Sequence, residues 1–504
     1  MPESTAPAKK HTFDIWELQV EGNTLLDRVL IERTVYPYVG STKTIDDVEA
    51  ARQALETFYR DSGYATVVVD IPEQEVAQGI VRLKVVEGKV ERVRVVGSRY
   101  FSLGRITEGV PALAQGQVPN VPALQAQLQE LNQATPDRTV TPVFRPGRTP
   151  GTVEVELRVK DELPIHGDVE LNDRNSVDTT KLRASATLRY ANLWQREHSA
   201  SLMFQTAPEN TDDVQVFAGT YVWPLGNGNV FAAFAVDSKS NVASAGDLAV
   251  LGNGNIYGTR YIKTLAGLDN YFHSATFGID YKDFEEDIAP LNGPGFNTPI
   301  SYLNFMTQYR GTLISQSSKL SAGLSANFGL RGLGNTEEEF ENKRFKAKPN
   351  YIYFGAFGEY TRDFSNGMQA IAALDGQIAD SPLVSNEQYG AGGAESVRGY
   401  YESQSLGDNG VIGNFELRSP SYAKHVPHLR ELRFLMFADA AKLVVREALP
   451  GQVDGYELYS TGVGFRLQAE KGFDASFDWA WPLRDATDVD KGDSRAHFRL
   501  HYGF

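Results

Sequence analysis

The chain has 504 residues, a formal net charge of −15 and 41% hydrophobic residues, which is the composition of an acidic protein of two or three domains. An acidic balance without basic clusters argues against nucleic acid as a partner, and the absence of cysteine excludes thiolate metal sites and cysteine nucleophiles. No apolar run approaches the roughly 18 residues that a membrane helix needs. The first ten residues, "MPESTAPAKK", lack the apolar centre of a secretory signal, so if the protein is exported, its signal has been removed from this sequence.

Residues 11–162 are predicted to contain two similar units of helices and strands, after a tail or linker remnant at residues 1–10. In residues 11–87, "FDIWELQVEG" is predicted to be a strand, "LLDRVLIERTVYPYV" a short helix and "TIDDVEAARQALETFYRD" a longer helix that stops at Gly63. The strands "TVVVDIPEQ" and "GIVRLKVVEG" follow. The same β-α-α-β-β order recurs in residues 88–162, and a repeat of about 75 residues indicates two copies of one module.

Residues 163–504 change to alternating apolar and polar residues, with no convincing amphipathic helix. In "KLSAGLSANFGL" and "GFDASFDWAWPL", for example, every second residue is apolar and shares one face of a strand. About sixteen such segments leave roughly 21 residues for each strand and its connection, which is the scale of a membrane-spanning barrel.

A soluble all-β array or propeller is the alternative, because its strands alternate as well. Two features favour the membrane barrel. Many segments reach about ten residues, which is long for a globular strand and right for a tilted span of a bilayer. Short connections such as "AGLDN", "SNG" and "EKG" also alternate with long polar ones, which are typical of external loops. The predicted external loops are residues 172–180, 284–300, 331–348 and 484–494. The predicted fold is a transmembrane β-barrel of about sixteen antiparallel strands, preceded by two periplasmic α+β domains.

The last segment, "AHFRLHYGF", alternates up to the final residue. A closed barrel must pair its last strand with its first, because an unpaired edge cannot stand in a membrane. We therefore predict that the chain ends inside the wall, with Tyr502 and Phe504 as residues of barrel closure and of an assembly signal.

The longest predicted loop, residues 379–410, follows the eleventh segment and contains "SVRGYYESQSLGDNG". Alternation in the strands that follow assigns these residues to the lumen side: Glu416, Phe437, Asp439, Gly462 and Gly464. Two inward carboxylates beside a patch without side chains suit an arginine from a loop that folds inward, because a guanidinium pairs bidentately with carboxylates.

"SVRGYYESQSLGDNG", followed by "NFELRSP" and "FADAAKL", resembles the outer-membrane polypeptide-transport superfamily, in which a VRGY-type loop folds back into a sixteen-stranded barrel. The two α+β units resemble its POTRA domains, and two such domains point to the transporters of two-partner secretion, the TpsB family. The resemblance implies that Arg398 is the loop arginine, that Asp439 is its partner and that Glu416 lies alongside. The implied lock between loop and lumen consists of Val397, Arg398, Gly399, Tyr400, Glu416, Phe437, Asp439, Gly462 and Gly464.

Family transporters often carry an N-terminal helix that plugs the pore. Here only about a dozen residues precede the first predicted strand, so we expect this helix either to have been trimmed or to be absent. The resemblance implies a pore in the Gram-negative outer membrane, monomeric and surrounded by lipid, with its POTRA domains in the periplasm. These domains would capture an unfolded partner exoprotein by adding it as a strand to a sheet edge, and the pore would export it. An insertase or surface-delivery variant of the superfamily is one alternative. A passive porin, which needs neither POTRA domains nor an inward arginine loop, is another.

Sequence signatures of catalysis are missing. There is no GxSxG, Walker A or HExxH pattern, and the eight histidines form no ligand cluster. "LGNGNIYG" resembles a glycine-rich nucleotide loop without its spacing, and is predicted to be a turn. Residues 485–493 lack the distal glutamate of a calcium-binding EF-hand loop and are predicted to be a solvated external loop. We expect no enzyme activity, no cofactor and no metal site.

Overall fold

The computed structural model describes residues 11–504 except residues 77, 178, 241, 246–247, 286 and 289–295; for residues 242–245, 248–251, 287–288 and 296–297 it describes the backbone alone. The chain divides into two compact units, one of residues up to Pro164 with Trp194–Glu197, and one of Ile165–Leu193 with His198–Phe504. The tail predicted at residues 1–10 and part of the loop predicted at 284–300 lie outside the described residues. Within the described ranges, no helix is long and apolar enough to cross a membrane.

The first α+β module opens the chain. Its elements are β1 (Phe13–Ile15), β2 (Glu17–Glu21), α1 (Arg28–Val35), β3 (Gly40–Lys43), α2 (Ile45–Asp61), β4 (Val67–Asp70) and β5 (Ile80–Glu87). β2 pairs in parallel with β5, and β5 pairs antiparallel with β4. β1 and β3 form a separate sheet. The prediction of one continuous strand for "FDIWELQVEG" is therefore wrong, because this segment forms two strands, β1 and β2, in different sheets. The N–H groups of Trp16 and Glu17 both donate to the carbonyl of Gly79 (2.8 and 3.2 Å), at the point where the chain passes from the β1–β3 sheet to the sheet of β2 and β5.

Helix α2 covers the sheet of the first module with one apolar stripe. At its start, the carboxylate of Asp47 accepts hydrogen bonds from the N–H (2.8 Å) and hydroxyl (2.9 Å) of Thr44, which forms a capping box. Gly63, which follows the helix, has a φ of +93°, a conformation that favours glycine, as the predicted stop requires. The buried stripe consists of Val48, Ala51, Leu55 and Tyr59.

The second α+β module repeats this topology. Its elements are β6 (Lys89–Val96), α3 (Leu103–Glu108), α4 (Val121–Gln133), β7 (Arg138–Pro146) and β8 (Thr152–Asp161). β6 pairs in parallel with β8, and β7 pairs antiparallel with β8. The sheet order β6-β8-β7 is thus equivalent to β2-β5-β4 in the first module.

The two modules also share one detail of loop chemistry. In the first, the carboxylate of Glu87 accepts hydrogen bonds from the N–H groups of Thr24 (2.6 Å) and Leu25 (3.1 Å). In the second, the carboxylate of Asp161 accepts from the N–H groups of Arg99 (2.8 Å) and Tyr100 (2.9 Å). In both, an acid at the end of the last strand therefore holds the loop that follows the first strand.

A glycine precedes each of these loops. Gly22 and Gly97 have φ angles of +89° and +90°, and a Cβ atom on either would collide with a carbonyl oxygen of the facing strand, that of Val85 or Val159. Only glycine fits both the backbone angle and this close approach. The repeated geometry places equivalent residues about 75 positions apart, which is the period of the sequence repeat.

The remaining elements form the second compact unit. They are β9 (Ile165–Asn172), β10 (Arg183–Leu193), β11 (His198–Thr206), β12 (Gln215–Gly226), β13 (Asn229–Lys239), β14 (Val242–Ala245), β15 (Leu248–Leu251), β16 (Asn253–Thr264), β17 (Tyr271–Glu285), β18 (Asp287–Ile288), β19 (Phe296–Asn297), β20 (Ile300–Ser315), β21 (Ser318–Gly329), α5 (Glu337–Lys343), β22 (Ile352–Asp363), β23 (Gln369–Ala379), β24 (Tyr389–Ala391), β25 (Ser405–Gly407), β26 (Asn409–Arg418), β27 (Leu429–Val444), β28 (Gly455–Ala469), β29 (Phe473–Pro482) and β30 (Arg495–Gly503). Sixteen of these strands close into an antiparallel barrel, which confirms the predicted fold. The hairpins β14–β15, β18–β19 and β24–β25 lie in the connections between wall strands.

The outer face of the barrel is apolar. Leu202, Leu324 and Met436 expose 71%, 64% and 59% of their surface, while their strand neighbours turn inward. Such a face suits lipid rather than water. Connections at the end where β9 begins are short, such as residues 227–228 and 470–472.

Two details of the barrel differ from the sequence predictions. "LGNGNIYG" is not a turn, because β16 begins at Asn253. Its glycines instead allow close approach within the wall, since a Cβ atom on Gly258 would collide with the ring of Phe234. The connection at residues 330–351 contains a helix, α5, which has a capping box between Thr336 and Glu339.

β30 pairs with β9 and closes the wall. The paired stretch is short, from Asp168 to Asn172 on β9, with Tyr502 opposite Val169. Phe504 lies one residue beyond the strand, yet its N–H and carbonyl exchange hydrogen bonds with Gly167 (2.9 and 3.0 Å). The Phe504 ring covers Gly167 so closely that a Cβ atom there would lie 2.5 Å from it. The chain therefore ends within the wall, and its role as an assembly signal stays a prediction.

Candidate functional site

The connection between β23 and β26, residues 380–408, folds into the barrel and is called the lumen loop here. It is slightly shorter than the predicted range of 379–410, because β23 extends to Ala379 and β26 begins at Asn409. Val397 and Tyr400 are fully buried, and Arg398 is 4% exposed. These residues contact side chains of β26 to β30 that alternate toward the lumen, so the loop lies against one side of the inner wall.

The guanidinium of Arg398 binds the carboxylate of Asp439 on β27 with two parallel hydrogen bonds. Nε donates to Oδ2 and Nη2 to Oδ1, each at 2.8 Å. The backbone N–H of Arg398 also donates to Oδ2 (3.2 Å), and the side-chain amide of Asn414 donates to Oδ1 (2.9 Å). Both oxygens of this buried carboxylate therefore have two donors, which offsets the cost of removing the charge from water.

Glu416 on β26 binds the other edge of the same guanidinium, with 2.5 Å between Arg398 Nη1 and Oε1. Arg418 donates to Oε2 of Glu416 through Nε (2.9 Å) and Nη2 (2.7 Å). Arg466 on β28 binds Asp478 on β29 bidentately (2.8 and 2.9 Å) and lies 3.4 Å from Glu416 Oε1. Three arginines thus face three carboxylates, and the cluster is electrically balanced.

Charge and burial act in opposite directions on Arg398. Burial lowers the pKa of its guanidinium, but the hydrogen bonds and charge of Asp439, with the charge of Glu416, raise it more. The net pKa lies above the ordinary arginine value, so the side chain stays protonated at every physiological pH.

Phe437 forms the floor of this site. The guanidinium carbon of Arg398 lies 3.5 Å from the centre of its ring, which is a cation–π contact. The ring lies against Gly462 on β28, where a Cβ atom would collide with it. A Cβ atom on Gly464 would likewise collide with the carboxylate of Asp478. The two glycines leave the room that the aromatic ring and Asp478 occupy.

The neighbours of Arg398 hold the loop to β28, to β30 and to the connection between β29 and β30. The N–H of Gly399 donates to Nε2 of His497 (2.9 Å), and its φ of +94° favours glycine. The hydroxyl of Tyr400 donates to the carbonyls of Tyr459 (3.0 Å) and Arg484 (2.9 Å). Val397 packs in a buried cluster with Tyr400. Every residue of the predicted lock therefore lies at this site.

Sequence reasoning missed several participants. Asp478, Arg466 and His497 complete the site, and each lies on the polar face of an alternating segment. Their alternation indicates that they point inward, but only the strand register sets their depth, as in the pairing of Gly464 with Asp478 and of Asp478 with His497. No local signal in the sequence carries that register.

The lumen loop also contacts a second part of the wall through Glu387, which no sequence pattern singled out. Its carboxylate accepts hydrogen bonds from the hydroxyls of Tyr302 on β20 (2.6 Å) and Tyr353 on β22 (2.9 Å), and it forms a salt bridge with Lys282 on β17. Glu387 and Arg398 thus attach the loop to two separate parts of the wall. Among the described residues, no cluster of metal-ligating side chains is present.

Comparison with known proteins agrees with this architecture. Residues 13–88 match the POTRA domain, ShlB-type, and residues 151–467, more than half of the chain, match the haemolysin secretion/activation proteins ShlB/FhaC/HecB. The chain is 21% identical over 459 residues to the outer membrane transporter CdiB of Dickeya dadantii, covering 86% of this chain and 76% of the relative. Its fold is similar to that of CdiB from Escherichia coli, with a TM-score of 0.63 and 18% identity, over 100% of this chain and 93% of that structure. BamA from Haemophilus ducreyi, without its POTRA domains 1–3, has a TM-score of 0.62 and 15% identity, over 98% of this chain and 100% of that structure.

The family match favours secretion over the insertase and porin alternatives. It identifies an outer-membrane transporter of two-partner secretion, which exports a partner protein and carries its POTRA region in the periplasm. The TpsB resemblance is thereby confirmed. With a POTRA match at its start and a family match across its barrel, the chain belongs to the haemolysin secretion/activation proteins ShlB/FhaC/HecB.

Proposed function

We propose that the exported partner is captured unfolded by strand addition at β4, the outer strand of the first module's sheet. Two modules then act in series, and the second is also a POTRA domain, a proposal supported by its equivalent sheet order and loop chemistry. A sheet edge offers unpaired backbone groups to an extended chain, so it binds unfolded segments with little demand on their sequence.

The choice of β4 over β7 rests on the chemistry of the two edges. β7 carries Pro142 and Pro146, which lack the N–H that a strand ladder needs. β4 has no proline, and Val68 is 54% exposed on it. The side chain of Arg52 donates to the carbonyl of Val69 (3.2 Å), a position that an N–H of the incoming strand would take over.

The lumen is the proposed route across the membrane. A sixteen-stranded barrel is wide enough for an aqueous interior. The lock around Arg398 holds the lumen loop against β26 to β30, so that the loop forms part of the channel lining. A single chain closes the wall, which supports a monomer surrounded by outer-membrane lipid. Transport of this kind needs no catalytic step, and folding of the partner outside supplies the direction.

Capture can be tested by deletion and by crosslinking. Removing residues 11–87 should leave a barrel that assembles, judged by its heat-modifiable migration on gels, but that secretes no partner. A photoreactive amino acid at Val68 should crosslink to the partner during secretion, whereas one at Thr141, an exposed position on β7, should not. If the deletion variant secretes as much partner as the wild type, the partner is recognised by the barrel instead. If crosslinks form at position 141 and not at position 68, the partner binds at β7.

A further inference from the structure

The end of the barrel opposite the short turns is filled by its own connections. Residues 330–351, called the mouth lid here, join β21 to β22 and contain α5. Phe340 and Ala347 of the lid and Leu383 and Val384 of the lumen loop are at most 2% exposed. All four belong to one apolar cluster that includes Tyr302 of the wall. A polypeptide that leaves through this part of the mouth has to displace these packed side chains.

Helix α5 carries the central residue of this core. The hydroxyl of Thr336 accepts a hydrogen bond from the N–H of Glu339 (3.2 Å), and the carboxylate of Glu339 accepts one from the N–H of Thr336 (2.8 Å). This capping box fixes the start of a helix that is too short to be stable alone. The ring of Phe340 then packs edge-on against Tyr302, with 5.5 Å between ring centres.

Arg344, directly after α5, binds the lumen loop. Its Nη1 and Nη2 atoms donate to the two carboxylate oxygens of Asp408 at 2.7 and 2.6 Å. Asp408 is fully buried and Arg344 is 16% exposed. Asp408 immediately precedes β26, so its position is set by the wall, whereas Arg344 belongs to the lid.

Arg344 and Asp408 also bind a third connection, residues 445–454 between β27 and β28. The N–H of Arg446 donates to Asp408 (2.7 Å), and Arg344 donates to the carbonyl of Arg446 (3.2 Å). Leu383 of the lumen loop completes the set, since its N–H donates to Asp408 (2.8 Å) and its carbonyl accepts from Arg344 (2.6 Å). One buried ion pair therefore joins three connections of the barrel.

The two buried arginine sites differ in what they hold. The carboxylates that bind Arg398 lie on wall strands, so that site fixes the lumen loop to a rigid surface. The partners of Arg344 all lie in connections, so breaking this site leaves every wall strand paired. We propose that Arg344 and Asp408 are positioning residues that form a latch at the mouth of the pore, and that the mouth lid opens when the partner leaves. This inference rests on the proposed route through the lumen.

A buried ion pair suits a reversible latch. When the lid closes, both charges lose their hydration, and this loss offsets much of their attraction. When it opens, both regain water, so opening costs less than the short distances suggest. While closed, the planar bidentate contact and the backbone N–H groups of Leu383 and Arg446, which also donate to Asp408, favour one arrangement of the three connections.

The first test measures pore opening by purified full-length protein in planar lipid bilayers. Arg344→Ala should increase the fraction of time spent in open states about tenfold, because it leaves Asp408 buried without its counter-charge. Arg344→Lys keeps the charge and loses the two-pronged contact. Its fraction of time in open states should lie between that of Arg344→Ala and that of the wild type. The matched control is Lys346→Ala, since the Lys346–Glu447 pair joins two of the same three connections at 2.8 Å but is half exposed. If Arg344→Ala assembles normally, judged by heat-modifiable migration, and has the same open fraction as the wild type, the latch proposal is wrong.

The second test locks the lid instead of releasing it. The chain has no cysteine, so Lys346→Cys with Glu447→Cys introduces one clean pair at positions whose side chains meet. Bridging the pair with a short bis-methanethiosulfonate linker, which forms a disulfide with each thiol and releases sulfinate, should stop secretion, and reduction of the two disulfides should restore it. Undiminished secretion by the bridged protein would refute lid opening. If the linker stops secretion as expected but the photoreactive residue at position 68 forms no crosslink with the partner, only the capture proposal is refuted.

Discussion

Arg398 makes contacts of several kinds, and the side-chain contacts depend on the planar, forked guanidinium that lysine lacks. Its fork spans Asp439 and Glu416 at once, its flat face lies on Phe437, and its backbone joins the same carboxylate. Ordering a residue costs about 1–2 kcal/mol of backbone entropy, so an exposed ion pair of about 0–1 kcal/mol could not hold the lumen loop. Burial changes the balance, because removing one partner of a buried pair costs about 3–5 kcal/mol.

We expect Arg398→Ala and Asp439→Ala to cause similar secretion defects while the barrel still assembles. The double variant should be little worse than either single variant, because the two residues act as one unit. Lysine at position 398 should rescue secretion only in part. The readouts are partner protein in the medium and heat-modifiable migration of the barrel.

Arg260→Ala is the matched control for this series. Arg260 binds Asp280 bidentately across neighbouring wall strands (2.5 and 2.9 Å), in a lumen-facing pair without a lumen-loop residue. Its loss should leave secretion close to the wild-type level. Single variants of Arg398 and Asp439 with very different, additive effects would show that the loop is anchored elsewhere.

Alternation along single strands was enough to find Glu416, Asp439 and the two glycines. It does not find Glu387, because that residue lies in an irregular connection and its partners come from three distant strands. Contacts between an irregular loop and a curved wall depend on shear and strand register, which leave no periodic signal in the sequence.

At the scale of elements, the two α+β modules depend on a carboxylate that organises a loop. Burial raises the pKa of Asp161, but hydrogen bonds from the N–H groups of Tyr100 and Arg99 and the hydroxyl of Ser98 lower it more. The net pKa therefore lies below the ordinary aspartate value. A carboxyl whose pKa is lower in the folded protein adds stability above its unfolded pKa, about 4, and this stability is lost as pH falls through the folded value.

Asp161→Asn should therefore weaken the loop at neutral pH by about 1.5–3 kcal/mol, the usual range for hydrogen bonds to a charged acceptor. The measurement is amide hydrogen exchange at Arg99 and Tyr100 in the full chain. The difference from the wild type should shrink as pH falls below about 4, where the wild-type carboxyl also becomes neutral. Glu162→Gln, one residue away and exposed, is the control and should change nothing. A difference that persists undiminished in acid would exclude the carboxylate as its cause.

Most elements were predictable because their periodicity is local. Helix α2 and the sixteen wall strands follow directly from apolar spacing. Helix α5 was missed because "EEEFENK" has a single apolar residue, and the capping box from Thr336 to Glu339 is its one sequence signal. The break between β1 and β2 has no such signal, because it lies where the N–H groups of Trp16 and Glu17 donate to the carbonyl of Gly79, far along the chain.

At the scale of the whole molecule, the alternation of short and long connections predicts the orientation in the membrane. Cysteines placed at Glu338 and Asp488, both exposed in long connections, should react with a membrane-impermeant maleimide on intact cells. A cysteine at Asn227, in a two-residue turn at the other end, should react only after the outer membrane is permeabilised. Labelling of position 227 alone on intact cells would invert the topology.

The placement of the lumen loop has a consequence for the order of events during assembly. The contacts of Arg398 with Glu416 and Asp439 span 18 and 41 residues, whereas Asp173 and Phe498, which meet where the last strand joins the first, are 325 residues apart. Bringing distant residues together costs more chain entropy, by about 2 kcal/mol over this range of separations. We therefore expect the loop to reach its arginine site while the wall is still an open sheet, because a wall that closed first would have to admit the whole loop through its mouth. In this order of events, the loop already lies against the inner wall when β30 pairs with β9.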